Sequence, residues 1–87
     1  MVKCNIFETK INYELLNTSL EKYINSQTGD YIRKPNFIIM NTNTKYKMWK
    51  DCAPTENWNR KGISYAEYQG IPIAICDKLE DGDIEII

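Results

Sequence analysis

The carboxylates are the main side chains that could do acid–base chemistry in this chain, because its 87 residues include no histidine. Histidine is the side chain that ordinarily exchanges protons near neutral pH. Three cysteines are present, Cys4, Cys52 and Cys76. A cysteine nucleophile needs a neighbouring base or cation to activate the thiol, and nothing in the spacing of these three indicates one. We therefore expect no catalytic residues and interpret the protein as non-enzymatic.

Metal binding is not expected either. The cysteines lack the Cys-x-x-Cys spacing of zinc sites, and their odd number and apolar surroundings are typical of small buried residues in a reducing compartment. Carboxylates near the C-terminus could hold Mg²⁺ or Ca²⁺, but they do not follow the EF-hand pattern. The sequence predicts no metal and no cofactor.

These carboxylates form one candidate surface for a protein partner. Residues 77–85 contain five acidic residues against Lys78 alone, whereas residues 33–50 contain five basic residues and no acidic one. We expect opposite fields at the two ends of the fold, which would suit a contact with another protein or a head-to-tail contact between copies. The candidate interaction residues in the acidic stretch are Asp77, Glu80, Asp81 and Asp83.

A second candidate surface lies in residues 55–63, a polar stretch that we predict to be an irregular loop. Trp58 stands in this loop beside Arg60 and Lys61. An aromatic residue in a polar loop either packs back onto the core or is displayed to a partner, and both interpretations stay open. An aromatic and basic pair could also stack on a nucleobase. A net charge of −1 offers no general attraction for a polyanion, so nucleic acid is not an expected partner.

Two segments with helical spacing of apolar residues would position these surfaces. The first is predicted to begin at the N-cap Asn12 and to end at Gly29, with Leu16 and Leu20 on its packing stripe.

The second is predicted to follow a cap at Asn41 or Thr42. Its predicted packing face consists of Tyr46, Trp49 and Ala53, with Met48 and Cys52 beside them, and its lysines point away from that face. Pro54 is predicted to end it.

Most of the remaining segments have the residue pattern of β-strands. Residues 1–7, 64–69, 71–76 and 83–87 have β-type patterns, and the last two runs are joined by a turn that ends in Asp81-Gly82. Residues 36–40 are almost wholly apolar, as in a strand buried on both faces. The sequence predicts one small α+β domain spanning residues 1–87, with two helices packed on one face of a mostly antiparallel sheet of about four to five short strands.

No targeting or membrane segment is indicated by the pattern. No run approaches the roughly 20 apolar residues of a membrane span, and no signal peptide is recognisable. We expect a cytoplasmic protein with no membrane partner.

Two short motifs resemble those of a known shell fold. Residues 35–41 read Pro-Asn-Phe-Ile-Ile-Met-Asn before a predicted helix, and residues 70–77 read Gly-Ile-Pro-Ile-Ala-Ile-Cys-Asp, followed by Leu79 and Gly82. From Asn12 to Ile87 the chain resembles the axial domain of tailed-phage major capsid proteins, a fold shared with encapsulins. Members of that family are several times longer. The resemblance therefore implies a short phage or prophage protein that docks on other copies or on a larger partner.

Two functions follow as hypotheses. In the first, the chain is a non-enzymatic phage or prophage protein that acts by protein–protein contact, as an assembly accessory or a self-associating module, in the host cytoplasm or in the virion. In the second, it is a phage-encoded inhibitor of a host defence system, of the anti-CRISPR kind or one that sequesters a nucleotide signal. The acidic stretch could then imitate nucleic-acid phosphates.

Overall fold

The computed structural model describes residues 1–27, 32–52 and 66–87. The predicted irregular loop at residues 55–63 lies outside them. The described elements are, in chain order, β1 (Val2–Asn5), α1 (Tyr13–Asn25), β2 (Ile38–Met40), α2 (Thr42–Cys52), β3 (Glu67–Tyr68), β4 (Ile71–Ile75) and β5 (Asp83–Ile86). This is the predicted α+β domain, with two helices and a mostly antiparallel sheet of five strands, and the fold prediction is confirmed.

The sheet is centred on β2. Its strand order is β1-β5-β2-β4-β3, in which β2 and β4 are parallel and the other three pairs are antiparallel. Ile38 lies opposite both Ile73 of β4 and Ile86 of β5. The two C-terminal strands are therefore not paired with each other, although they follow one another in the sequence, because β2 lies between them.

One face of the sheet carries the core. Its strand residues Ile38, Met40, Ile84 and Ile86 are fully buried. Leu16 and Leu20 of α1 and Met48 of α2 belong to the same cluster, so both helices cover this face. Burying a large aliphatic side chain contributes about 1.5–3 kcal/mol, so this cluster is the main source of stability.

The first helix begins where the sequence predicts and ends earlier. Asn12 is its N-cap, and its side-chain Oδ1 accepts a hydrogen bond from the backbone N–H of Leu15 at 2.9 Å. The helix ends at Asn25, before Gly29 is reached. The Ser26 hydroxyl donates to the carbonyl oxygen of Tyr23, and Gln27 bonds the backbone of Arg33 through both ends of its amide. These side chains offer the backbone an alternative to further helical turns.

The second helix is rotated relative to its predicted packing face. Met48 and Thr44 are buried, whereas Tyr46 is 53% exposed. The prediction that Tyr46 lies on the packing face was wrong. The helical spacing of apolar residues does not include the buried Thr44, whose polar contacts, described below, set the rotation of the helix.

The central strand was also predicted to be buried on both faces, and only one face is. Ile38 and Met40 are fully buried, but Phe37, on the opposite face, is 43% exposed and Ile39 is half-buried.

Within the residues that the structure describes, no helix is long and apolar enough to cross a membrane.

Candidate functional site

The acidic turn, residues 77–83, lies against the first turn of α2. Its first carboxylate, that of Asp77, accepts a hydrogen bond from the backbone N–H of Thr42 at 2.8 Å. Thr42 is the first residue of the helix, and its N–H has no partner within the helix. A strand-to-helix turn of this kind could have received an external anion. Here the chain's own carboxylate occupies that position.

Asn41 joins the acidic turn to the helix more tightly. Its Oδ1 accepts hydrogen bonds from the N–H of Thr44 at 2.7 Å and from the Thr44 hydroxyl at 2.6 Å. Its Nδ2 donates to the carbonyl oxygen of Leu79 at 3.1 Å and to Oδ1 of Asp81 at 2.8 Å. The helix cap predicted at Asn41 or Thr42 is therefore Asn41, and the same side chain holds the acidic turn in place.

A buried hydroxyl completes this network. Thr44 is fully buried, and its Oγ1 accepts a hydrogen bond from the N–H of Gly82 at 2.9 Å. In the described part of the chain, no buried side-chain nitrogen or oxygen lacks a hydrogen-bond partner. A buried polar group without a partner would cost about 1–3 kcal/mol, so the complete pairing lets this polar cluster contribute to stability.

The hydrogen bonds also change the acidity of the turn. The backbone and side chain of Thr42 lower the pKa of Asp77 below its ordinary value of 3.8. The side chains of Asn41 and Asn43 lower the pKa of Asp81, with a smaller contribution from the charge of Lys47. Both carboxylates are therefore charged at neutral pH, as acceptors at the positive end of a helix should be.

The four predicted interaction residues of the acidic turn thus differ in their surroundings. Asp77 and Asp81 hold the start of α2. Asp83 is half-buried and accepts a hydrogen bond from Nδ2 of Asn5 at 2.9 Å. Glu80 is exposed. Three of the four carboxylates therefore accept hydrogen bonds from other parts of the fold. The role of all four in an interaction stays a prediction.

The expected separation of charge holds for only part of the basic segment. Lys47, on α2, is close enough to Asp81 to lower its pKa, so acid and base are neighbours at this end of the sheet. Arg33 and Lys34 lead into β2 at the opposite end, where Asn36 donates its N–H to the carbonyl oxygen of Ile87. The order of the segments along the chain did not show that the acidic turn packs beside the basic helix α2.

The second predicted surface, with Trp58, Arg60 and Lys61, lies outside the described residues.

The sheet face opposite the helices presents a different surface, which we call the outer face. Because paired residues share a face, the register assigns to it the residues that alternate with the core. Towards β1 the outer face is polar, and Lys3 Nζ lies 3.5 Å from the Glu85 carboxylate. Towards β4 it is apolar. Phe37, Ile39, Pro72, Ala74 and Ile87 form an apolar strip.

This apolar strip crosses the three central strands of the sheet, β5, β2 and β4. Ile39 lies between Glu85 of β5 and Ala74 of β4. Phe37 extends the pairing of β2 with β5, exchanging backbone hydrogen bonds with Ile87 at 3.1 and 3.3 Å. Phe37 and Pro72 are exposed, and the other three residues are half-buried. No described helix covers the strip, and the solvent face of such a sheet is normally polar.

A groove of about 320 Å³ borders the strip on the side of β1 and β5. Its walls include Lys3, Asn5, Asp83 and Glu85 of the outer face, with Leu79 of the acidic turn. The outer face is therefore concave beside the apolar strip.

Sequence reasoning missed the outer face, although its signal was present. The apolar run at residues 36–40 predicts a strand that needs cover on both faces. The pairing register of β2 with β4 then places Pro72 and Ala74 on the same uncovered face. This register could not be predicted from the sequence.

Metal-ligating and thiol groups do not form a site in the described parts of the chain. No three cysteine, aspartate or glutamate residues there are placed to hold a metal ion. Cys4 and Cys76 are free thiols and half-buried.

Comparison with known protein families, with characterised proteins and with solved structures finds no significant match to this chain.

Proposed function

We propose that this chain is a non-enzymatic binding module of a phage or prophage, and that it acts through protein–protein contact on its outer face. Its role is that of an assembly accessory or a self-associating module, in the host cytoplasm or in the virion. The observation that carries the proposal is the apolar strip, whose residues are exposed or half-buried where a sheet with one covered face normally presents polar residues.

The energetics of the strip support a binding role. Phe37 is 43% exposed, and covering the rest of a phenylalanine side chain contributes on the order of 1 kcal/mol. Aromatic residues beside apolar neighbours, with charged residues at the rim, are typical of the centre of a protein interface. Lys3 and Glu85 form such a rim on one side.

The phage origin is supported by a resemblance alone. The motifs at residues 35–41 and 70–77 resemble those of the capsid axial domain. The first contains Phe37 and Ile39, and the second contains Pro72 and Ala74. Four of the five residues of the apolar strip therefore lie within these two motifs.

The geometry favours the outer face over the acidic turn as the binding surface. An inhibitor that imitates phosphates needs its carboxylates available to a partner. Asp77 and Asp81 already accept hydrogen bonds from α2 and its cap. Inhibition of a host defence system is therefore our second candidate, with Glu80, an exposed carboxylate that does not hold the start of α2, as its candidate residue.

The test is capture of partners by matched variants. Tagged wild-type protein, Phe37→Lys and Tyr46→Lys would each be incubated with a lysate of phage-infected cells, and the bound proteins identified by mass spectrometry. Tyr46 is 53% exposed on α2 and serves as the control for a new surface lysine. We expect Phe37→Lys to lose partners that Tyr46→Lys keeps. Equal capture by all three would overturn the outer face as the binding surface.

A further variant separates the two candidate functions. If Glu80→Lys loses a host defence protein that Phe37→Lys retains, the acidic turn is the binding surface and the inhibitor hypothesis replaces ours. The position of the gene gives independent evidence. A place among head-morphogenesis genes supports assembly, and a place among early anti-defence genes contradicts it.

A further inference from the structure

The acidic turn contains the Asp-Gly pair of this chain, Asp81-Gly82, and no Asn-Gly pair occurs in the sequence. In an Asp-Gly pair the backbone nitrogen of glycine can attack Cγ of the aspartic acid side chain, because glycine has no Cβ to hinder the approach. The new N–Cγ bond replaces a C–O bond, and the carboxyl oxygen leaves as water with the proton of the N–H. Water then opens the resulting succinimide ring at either carbonyl, which gives aspartate or isoaspartate with no net change in composition.

We propose that Asp81-Gly82 is a latent isomerisation site, which the folded chain keeps unreactive by holding apart the nitrogen and the carboxylate that must meet. The inference goes beyond the proposed function and does not depend on it, since it concerns a covalent modification of the acidic turn and not binding by the outer face.

The peptide group between the two residues is held at both ends. Its N–H, that of Gly82, donates to the buried Oγ1 of Thr44 at 2.9 Å. Its carbonyl oxygen, that of Asp81, accepts a hydrogen bond from Nδ2 of Asn5 at 3.1 Å. The peptide plane must turn for the nitrogen to reach Cγ, and that rotation breaks both bonds. Gly82 is also buried, so the base that must remove the N–H proton cannot reach it from solvent.

The carboxylate is held as well. Oδ1 of Asp81 accepts a hydrogen bond from Nδ2 of Asn41 at 2.8 Å. The side chains of Asn41 and Asn43 lower the pKa of Asp81, so the carboxyl group is ionised at neutral pH and is a poor source of leaving water. Asp81 itself is exposed. The protection therefore comes from hydrogen bonds and not from burial of the carboxylate.

The fold explains why a reactive pair stands at this position. Asp81 is the carboxylate that Asn41 binds. Gly82 has φ +85°, and an added Cβ would lie 2.7 Å from Phe7 Cβ. Each residue is needed where it is, so the chain carries the Asp-Gly pair and depends on the closed turn to protect it.

Isomerisation would prevent the turn from closing again. Isoaspartate adds one methylene to the main chain and shortens the side chain by one. The carboxylate would then no longer reach Asn41, and the added length falls directly before Asp83, where β5 begins its pairing with Asn5. A chain in which the turn has opened for long enough therefore stays altered.

The test is incubation of the full chain at neutral pH in water labelled with heavy oxygen, in the folded state and unfolded in urea. Each hydrolysis of the succinimide places one heavy oxygen atom on residue 81. After tryptic digestion in ordinary water, mass spectrometry detects it in the peptide that begins at Leu79. Partial opening of a folded chain requires free energy, so we expect labelling in the folded state to be about 100-fold slower or more. Asp83, in the same peptide, is followed by Ile84 and serves as the internal control.

A matched pair of variants tests the role of the buried hydroxyl. Thr44→Val removes the acceptor of the Gly82 N–H, and it should raise the folded-state rate at residue 81 by about tenfold. Thr44→Ser keeps the hydroxyl and should label like the wild type. Asn5→Ala, at an exposed residue, frees the Asp81 carbonyl and should also raise the rate. Circular dichroism shows whether each variant is folded.

Three results would overturn the proposal. Equal labelling of the folded and unfolded wild type would show that the fold gives no protection. Labelling of Asp83 as fast as that of Asp81 in urea would show that the Asp-Gly pair is not the reactive one. Folded Thr44→Val and Asn5→Ala that both label no faster than the wild type would show that these hydrogen bonds do not provide the protection.

Discussion

The side-chain amide of Asn41 donates a hydrogen bond to the carboxylate of Asp81 at 2.8 Å, across 40 residues of sequence. This bond connects the residue that caps α2 to the turn that leads into β5. Through it, the cap of a helix and the conformation of a distant turn depend on one side chain. The acidic stretch, which by composition resembles a surface for a partner, is thereby part of the fold.

Removing the Asn41 side chain should cost more than removing the cap of the first helix. Asn41→Ala deletes four hydrogen bonds and leaves the buried Thr44 hydroxyl short of a partner, so we expect a loss of about 2–4 kcal/mol. Asn12→Ala deletes the capping bond and an exposed bond from Asn12 Nδ2 to the Glu8 carboxylate at 3.3 Å, and it should cost about 1 kcal/mol. Urea unfolding of both variants measures the difference. Equal losses would show that Asn41 acts only as a cap.

Two glycines among the described residues have a left-handed backbone conformation and provide a second matched pair. Gly70 has φ +80° and open space around the position of an added Cβ, so Gly70→Ala should cost about 1–2 kcal/mol for the conformation alone. Gly82 has φ +85°, and a Cβ there would lie 2.7 Å from Phe7 Cβ and from Asn5 Oδ1. Gly82→Ala should therefore lose at least about 2 kcal/mol more in the same unfolding experiment. Similar losses for both variants would contradict this close approach.

Stability should fall in acid, and the acidic turn should account for part of the fall. The pKa values of Asp77 and Asp81 are lowered in the folded state, so unfolding raises them and takes up protons. Their contribution is fully present above the unfolded value of 3.8 and is lost as the pH decreases through the folded values. Thermal unfolding between pH 2 and 6 should show a shallower acid decline for Asp77→Asn and Asp81→Asn than for the wild type. Parallel curves would show that neither group is linked to folding.

The orientation of α2 can be tested by truncating two of its neighbouring apolar residues. Met48 is 1% exposed, and Met48→Ala should cost about 2–5 kcal/mol. Tyr46 is 53% exposed, and Tyr46→Ala should cost less than about 1 kcal/mol. Chemical denaturation distinguishes them. The reverse order would place Tyr46 on the packing face, as the helical periodicity predicts.

Sequence alone determined the elements and the class of the fold. Local signals were sufficient for Asn12, which caps α1 with its own side chain, and for the strands, whose alternation is visible residue by residue. Such signals depend on neighbours within a few positions, so they can be read without knowing the tertiary structure.

Only the tertiary structure decided how these elements meet. The rotation of α2 depends on the bond from Gly82 to Thr44, which joins residues 38 positions apart, and the apolar strip depends on β2 lying beside β4 and β5. The hydrogen bond that Asp81 accepts from the helix cap Asn41 and the exposure of Phe37 have the same origin. These features depend on contacts between residues that are distant in the sequence. The pairing register and the helix rotation are set by packing and by hydrogen bonds to buried polar groups. Neither of these leaves a periodic signal in the sequence.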